Sequence, residues 1–180
     1  MNMDTVTVKD RQFTLSIESD KIQQVITTLA TRMNSELAGK KPLFLGVLNG
    51  SFMFAADLFR QIDTPAEISF VKMASYQGIS STGVVKQLIG MPECVAGRCI
   101  VIVEDIVDSG RTIERMCELL EEQHPAEIYV CTLFLKPGSY KGTRKIDYVA
   151  MELPNDFIVG YGLDYDGWGR NLPHIYTVVD

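Results

Sequence analysis

The stretch I-V-I-V-E-D-I-V-D-S-G-R-T, from Ile100 to Thr112, decides how the rest of the chain is read. Ile100 to Val103 is an unbroken β-branched apolar run, as expected of a strand covered on both faces of a parallel sheet. Three carboxylates, Glu104, Asp105 and Asp108, follow directly, and Ser109-Gly110 makes a tight turn. From Thr112 to Gln123 the apolar positions Ile113, Met116, Cys117, Leu119 and Leu120 fall at helical spacing. A buried strand leading through an acidic, glycine-containing loop into a helix carries its polar groups to the carboxyl edge of a sheet. Open α/β folds bind their ligands at that edge.

Outward from this stretch, Pro42 to Leu48, Glu67 to Ala74 and Glu127 to Leu135 read as further strands, with shorter ones at Ile146 to Glu152 and Phe157 to Tyr161. Ser19 or Asp20 can cap a helix through about Leu37, with Ile22, Ile26, Leu29, Met33 and Leu37 on one face and Gly39 beyond its end. Phe52 to Gln61 is a second helix, and Thr14 to Glu18 a short edge strand. Val84 to Ile89 reads as a strand returning from Glu67 to Ala74, so Ser75 to Gly83 is the tip of a long hairpin. That tip is open to two readings, a disordered loop or a lid over a site. The tail from Leu163 holds Asp164, Asp166, Trp168 and Arg170 and closes with apolar Ile175 to Val179. Alternating strands and helices predict an α/β protein: a mostly parallel twisted sheet flanked by helices, with a small C-terminal cap.

Composition bounds the rest. The 180 residues suit one domain able to bury its own core, and 46% hydrophobic with 22% charged residues is ordinary for a globular protein. A net charge of -6 argues against a surface made for nucleic-acid phosphates. No apolar stretch is long enough for a membrane helix, and M-N-M-D-T-V-T-V-K-D lacks a signal-peptide core, so a cytoplasmic protein is expected. Cys99, Cys117 and Cys131 sit in apolar patterns as small hydrophobes, Cys94 has no C-x-x-C partner, and His124 and His174 lack zinc-ligand spacing.

Glu104 and Asp105 can hold hydroxyl groups, collect a hard divalent ion that keeps its waters, or stand solvated in an acidic turn. Asp108 to Thr112 offers successive N–H groups and two hydroxyls where a helix begins, an anion site suited to a phosphate monoester. The simpler reading is a cap by Asp108 or Ser109. A cap explains one acceptor, not three carboxylates and two hydroxyls within nine positions, and no P-loop pattern is present. Together these groups suit a phosphorylated sugar with free hydroxyls.

V-I-V-E-D-I-V-D-S-G-R-T closely resembles the phosphoribosyl-pyrophosphate signature of type I phosphoribosyltransferases, in particular their hypoxanthine–guanine branch. The resemblance continues at L-N-G-S-F-M-F (Leu48 to Phe54), at Ser75-Tyr76, at Lys136, over F-I-V-G-Y-G-L-D-Y (Phe157 to Tyr165) and at Arg170. It implies one phosphoribosyltransferase domain over 1–180: a core of about 19–150, a flexible loop of about 75–88, and a hood from about 151 with an N-terminal contribution. The implied reaction joins hypoxanthine or guanine to phosphoribosyl pyrophosphate, through a transition state with oxocarbenium character. By the same resemblance Glu104 and Asp105 hold the ribose hydroxyls and help bind magnesium, and the backbone of Asp108, Ser109, Gly110, Arg111 and Thr112 cradles the 5′-phosphate. Asp108 is the implied general base near purine N7. Lys136 donates to the 6-oxo group, Phe157 stacks on the base, and Ile158 and Asp164 offer carbonyls to the guanine amine. The Asp164 side chain also reaches magnesium. Asn49 and Gly50 with Arg170 face pyrophosphate, and the Ser75-Tyr76 loop closes over the site.

Read without the family, Lys136 is equally an exposed lysine at a strand end, Phe157 a core aromatic and Arg170 a surface cation. Asn49 departs from the family, which commonly has Lys there, so more of the pyrophosphate charge falls to Arg170 and magnesium. The family's peptide bond in this turn is often cis. The family's members are commonly dimers or tetramers, which implies a homo-oligomer, with no nucleic-acid or membrane partner. Two rivals stay open: another base, xanthine or adenine, and a nucleic-acid-binding regulator on the same fold. Net acidity and the set Lys136, Phe157 and Asp164 speak against the regulator.

Overall fold

The computed structural model describes residues 4–75, 85–89 and 94–179. Its centre is a six-stranded sheet in the order β5-β4-β3-β6-β7-β8, built from β3 (Leu43–Leu48), β4 (Glu67–Ser75), β5 (Val85–Ile89), β6 (Cys99–Val107), β7 (Glu127–Leu135) and β8 (Tyr148–Glu152). Five of these strands run parallel, and β5 joins the edge antiparallel to β4. That pairing bears out the expected return over Val85 to Ile89, and Val84 lies outside the described residues. The tip between these strands, with Tyr76, lies outside the described residues.

The apolar run of β6 serves two cores because successive strand residues face opposite ways. Cys99, Val101 and Val103 pack with α1 (Ser19–Glu36) and α2 (Phe52–Phe59). Ile100 and Ile102 pack with Ile113, Met116, Cys117 and Leu120 of α3 (Arg111–Glu121). Helices on both faces are what make every position from Cys99 to Val103 apolar. One expectation is corrected: Glu104 and Asp105 lie not in a loop but inside β6, which runs on to Val107. Glu104 therefore faces the α3 N-terminus, while Asp105 lies against Gly50 ahead of α2.

The tail is more regular than a small irregular cap. β1 (Thr5–Val8), β2 (Arg11–Ile17), β9 (Ile158–Val159) and β10 (Ile175–Val178) form a second, antiparallel sheet in the order β1-β2-β10-β9. The strand expected at Thr14 to Glu18 begins earlier, at Arg11, and is not an edge, since β1 and β10 flank it. Neither Ser19 nor Asp20 caps α1; the cap position is Glu18, and the Ser19 N–H donates to Nδ1 of His174 at 2.9 Å. Cys99, Cys117 and Cys131 are buried and Cys94 exposed, all as free thiols. Among the described residues, no helix is long and apolar enough to cross a membrane.

Candidate active site

Carboxyl ends of β3, β6 and β7 converge beneath the second sheet. At the end of β6 the chain turns through Gly110, whose φ of +87° favours glycine, and enters α3. Gly110 is the cap residue and has no side chain to spend on the helix. The first helical bond runs from the Glu114 N–H to the Gly110 carbonyl at 2.9 Å. The N–H groups of Arg111 to Ile113 precede that bond and have no partner within the helix. Capping by Asp108 or Ser109 is therefore not what the structure uses. Glu104 and the segment from Ile106 to Ile113 line a concavity of about 110 Å³ around this end. Tyr140 backs the turn so tightly that a Cβ on Gly110 would come within 2.4 Å of its ring.

Glu104 and Asp105 are each only 8% exposed. Glu104 Oε2 is buried and meets no hydrogen-bond donor. Burial, and after it the neighbouring Asp105, pushes the Glu104 carboxyl well above the usual carboxylate range. Burial raises Asp105 too, though hydrogen bonding with Glu104 and main-chain N–H groups, and the charge of Arg170, hold it back. Two desolvated acids with an unpartnered oxygen suit a cation or a pair of donor hydroxyls. Among the described residues no three His, Cys, Asp or Glu gather as a metal cage. The unpartnered Glu104 Oε2 beside Asp105 fits magnesium, which commonly takes one or two carboxylates and completes its shell with water and substrate oxygens.

Across the edge, Lys136 at the end of β7 is 7% exposed and its Nζ lies 3.4 Å from Asp108 Oδ2. Its own N–H donates to the Val107 carbonyl at 3.0 Å, so the ladder between β6 and β7 sets this pair. The peptide bond from Leu48 to Asn49 is cis, and Gly50 lies directly against Asp105: a Cβ there would fall 1.6 Å from Oδ2. Only glycine fits.

The hood supplies the other wall. Ring centroids of Phe157 and Tyr165 are 5.9 Å apart, edge to face, and fully buried Phe13 of β2 lies within 6.3 Å of both. Phe157 remains 43% exposed, so it is no core aromatic. Ile158 beside it is buried in β9. Asp164 Oδ2 accepts from the Gly167 N–H at 2.6 Å, and Oδ1 pairs with Arg170 at 2.6 Å. Arg170 Nη1 donates to the Gly162 carbonyl at 2.7 Å, so it is not a loose surface cation. Ser139 Oγ donates to Asn155 Oδ1 at 2.9 Å, joining the segment after Lys136 to the one before Phe157.

The structure thus brings Glu104, Asp105, Asp108 to Thr112, Lys136 and Gly50 to one edge, with Asp164 and Arg170 held against it through Gly162. Ser75 ends β4, and Tyr76 lies outside the described residues. Sequence reasoning missed Phe13 and Tyr165, which prop the exposed aromatic, and Tyr140 behind the turn. The resemblance implies an N-terminal contribution to the hood without saying which residues make it; β1 and β2 lie beside β10 in the four-stranded sheet.

A profile of the phosphoribosyl transferase domain matches residues 16–166. The hypoxanthine-guanine phosphoribosyltransferase of Bacillus subtilis (strain 168) is 41% identical over 160 residues, covering 88% of this chain and 89% of that protein. The bifunctional protein TilS/HprT of Listeria innocua is 39% identical over 160 residues, of which this chain spans 25% of the length. A crystal structure of a hypoxanthine phosphoribosyltransferase from Staphylococcus aureus superposes with a TM-score of 0.86 at 34% identity, over 92% of this chain and 90% of that one. These likenesses agree with the acid pair, the open helix end and the buried lysine just described: the chain belongs to the phosphoribosyl transferase family, in its hypoxanthine–guanine branch.

Proposed function

We propose that this chain salvages 6-oxopurines, moving the 5-phosphoribosyl group from phosphoribosyl pyrophosphate to N9 of hypoxanthine or guanine and releasing pyrophosphate. The observation that carries this reading is the Lys136–Asp108 pair, 3.4 Å apart beside the open end of α3. A cation and a carboxylate at that separation offer a donor and an acceptor to neighbouring atoms of one purine edge, the 6-oxo oxygen and N7. A 6-amino purine presents donors at the 6-position, where Lys136 needs an acceptor.

On this reading the N–H groups and hydroxyls of Ser109 to Thr112 take the 5′-phosphate at a helix N-terminus. Glu104 and Asp105 take the ribose hydroxyls, whose donated hydrogen bonds satisfy two buried acceptors. Arg170, with the main chain at Asn49-Gly50, faces pyrophosphate. Phe157 stacks on the base, and the carbonyls of Ile158 and Asp164 meet the guanine amine. As the bond at the anomeric carbon breaks, charge develops on the sugar and on the departing pyrophosphate. Asp108 takes the purine proton as N9 bonds to the sugar. Glu104 and Asp105, with the Asp164 side chain, would hold magnesium, which would supply positive charge against the departing pyrophosphate. One domain, a cytoplasmic setting and a homodimer or homotetramer belong to the same proposal.

The test is magnesium-dependent nucleotide formation with hypoxanthine, guanine, xanthine and adenine in parallel. Nucleotide from hypoxanthine and guanine is expected, with kcat/KM for adenine lower by on the order of 10⁴, the scale at which an unpaired polar site rejects a substrate. No transfer to either 6-oxopurine, or a preference for adenine, overturns the proposal.

A further inference from the structure

Tyr161 holds a φ of +48° between Gly160 at +105° and Gly162 at +98°. A bulky residue in the left-handed region costs about 1–3 kcal/mol and persists only where its surroundings hold it. Three elements do so here. The Tyr161 hydroxyl donates to Asp57 Oδ2 of α2 at 2.5 Å. Gln23 of α1 donates from Nε2 to the same oxygen at 2.8 Å and to the Tyr161 hydroxyl at 3.2 Å. The other Asp57 oxygen pairs with Arg60, and the Tyr161 N–H donates to the Leu172 carbonyl at 2.8 Å. Burial, then the Asp57 hydrogen bond and charge, pushes the Tyr161 phenol far up, so it stays a donor.

None of these groups is in the proposed chemistry, yet the next residue touches two parts of it. The Gly162 carbonyl accepts from Arg170 Nη1 at 2.7 Å, and the Gly162 N–H donates to the Arg170 carbonyl at 3.0 Å. A Cβ on Gly162 would fall 2.2 Å from the Gly50 carbonyl oxygen, so the two main chains lie in contact. Gly50 in turn abuts Asp105. Any rotation of the Tyr161–Gly162 peptide shifts the Arg170 anchor and presses on the turn at Asn49-Gly50 together.

We infer that Tyr161, moored to Asp57 and Gln23, is a positioning residue for the pyrophosphate side of the site, acting through Gly162 on Arg170 and on Gly50. The inference rests on the proposed phosphoribosyl transfer and deepens it by naming what aligns the pyrophosphate contacts where the family's lysine is replaced by Asn49.

The experiment compares Tyr161→Phe with the parent chain in KM for phosphoribosyl pyrophosphate, KM for hypoxanthine, thermal midpoint, and Kd for pyrophosphate by calorimetry with magnesium. Loss of one hydrogen bond to a charged acceptor predicts a roughly tenfold rise in the donor KM and pyrophosphate Kd, with the hypoxanthine KM within about twofold. In an Arg170→Gln background the same change should add clearly less than in the parent, because part of its effect runs through Arg170. Equal rises in both KM values, an unchanged pyrophosphate Kd, or full additivity with Arg170→Gln overturns the inference. If Tyr161→Phe does not fold, Asp57→Asn keeps the ring in place and must give the same split. Absence of transfer by the parent chain would defeat the proposed reaction alone, since the pyrophosphate Kd still decides the role of Tyr161.

Discussion

The carboxyl edge of the six-stranded sheet and the four-stranded hood are built on opposite plans. At the edge, Glu104 and Asp105 are 8% exposed, and their neighbours through Thr112 come from one continuous stretch. The hood gathers β1 and β2 from one end of the chain and β9 and β10 from the other. It leaves Phe157 at 43% and Trp168 at 66% exposure, on main chain bent through positive φ at Gly160, Tyr161, Gly162, Asp166, Gly167 and Gly169. One wall is a rigid sheet end carrying desolvated charge; the other is turns carrying aromatic surface. On the proposed reaction, the edge handles the sugar donor and, through Lys136 and Asp108, one side of the purine, while the hood supplies the stacking face of Phe157 and the Arg170 contact to pyrophosphate.

The sharpest way to break that division is Asp108→Asn. Asp108 is 55% exposed in its side chain, so the fold should survive while kcat falls by about 10²–10⁴. Near-normal turnover with both substrates bound would remove Asp108 from proton transfer. Next in size is Lys136→Gln, which replaces a buried charged donor by a neutral one. The loss should be about 1.5–3 kcal/mol, roughly 10- to 150-fold in kcat/KM for hypoxanthine. Adenine turnover should stay put, and a parallel fall with adenine would show that Lys136 supports the fold rather than the choice of base. Phe157→Leu should raise the purine KM by about two- to tenfold, the worth of an aromatic contact beyond its area, and leave the donor KM alone. Equal movement of both would mean the walls are not separable.

The smallest effect concerns the joint between the walls. Burial alone would raise Asp57, but hydrogen bonds from Tyr161, Gln23 and Arg60 take its carboxyl below the ordinary value. A depressed folded-state pKa contributes stability that is complete above the unfolded value and lost as pH falls through the folded one. Measured by denaturant unfolding, the stability difference between the parent and Asp57→Asn should be flat above about pH 5 and shrink below about pH 4. A difference that grows on acidification would contradict the assignment.

The two walls also differ in how far they could be read from residues alone. The central strand, α3 and the turn between them lie within one contiguous stretch, and local periodicity and turn chemistry suffice for them. Glu104 and Asp105 were misassigned to a loop because carboxylates rarely continue a buried strand; here α2 and α3 still cover both faces of β6. The hood was mostly hidden because pairing decides it: β2 meets β10 through Ile17 opposite Ile175, a register no local pattern encodes. Tyr161 was invisible for the same reason, since Gln23 and Asp57 come from two distant helices. Lys136 was readable as a purine contact by resemblance, but its pairing with Asp108 depends on the register of β6 against β7.

The sharing of one sheet by β2 and β10 has a consequence for how the chain comes to life. Synthesis delivers β2 well before β10, so the earlier strand waits through the assembly of the larger sheet. Parallel strands and α3 can pack while the tail is still being made, since every partner of β6 is already present by β8. Closing β2 onto β10 is the longest loop closure in the molecule and comes late, when most of its entropy has been offset by the core beneath. On the proposed reaction, the nascent chain therefore passes through a stage with the phosphate cradle, Lys136 and Asp108 in place and the aromatic wall of Phe13, Phe157 and Tyr165 not yet closed.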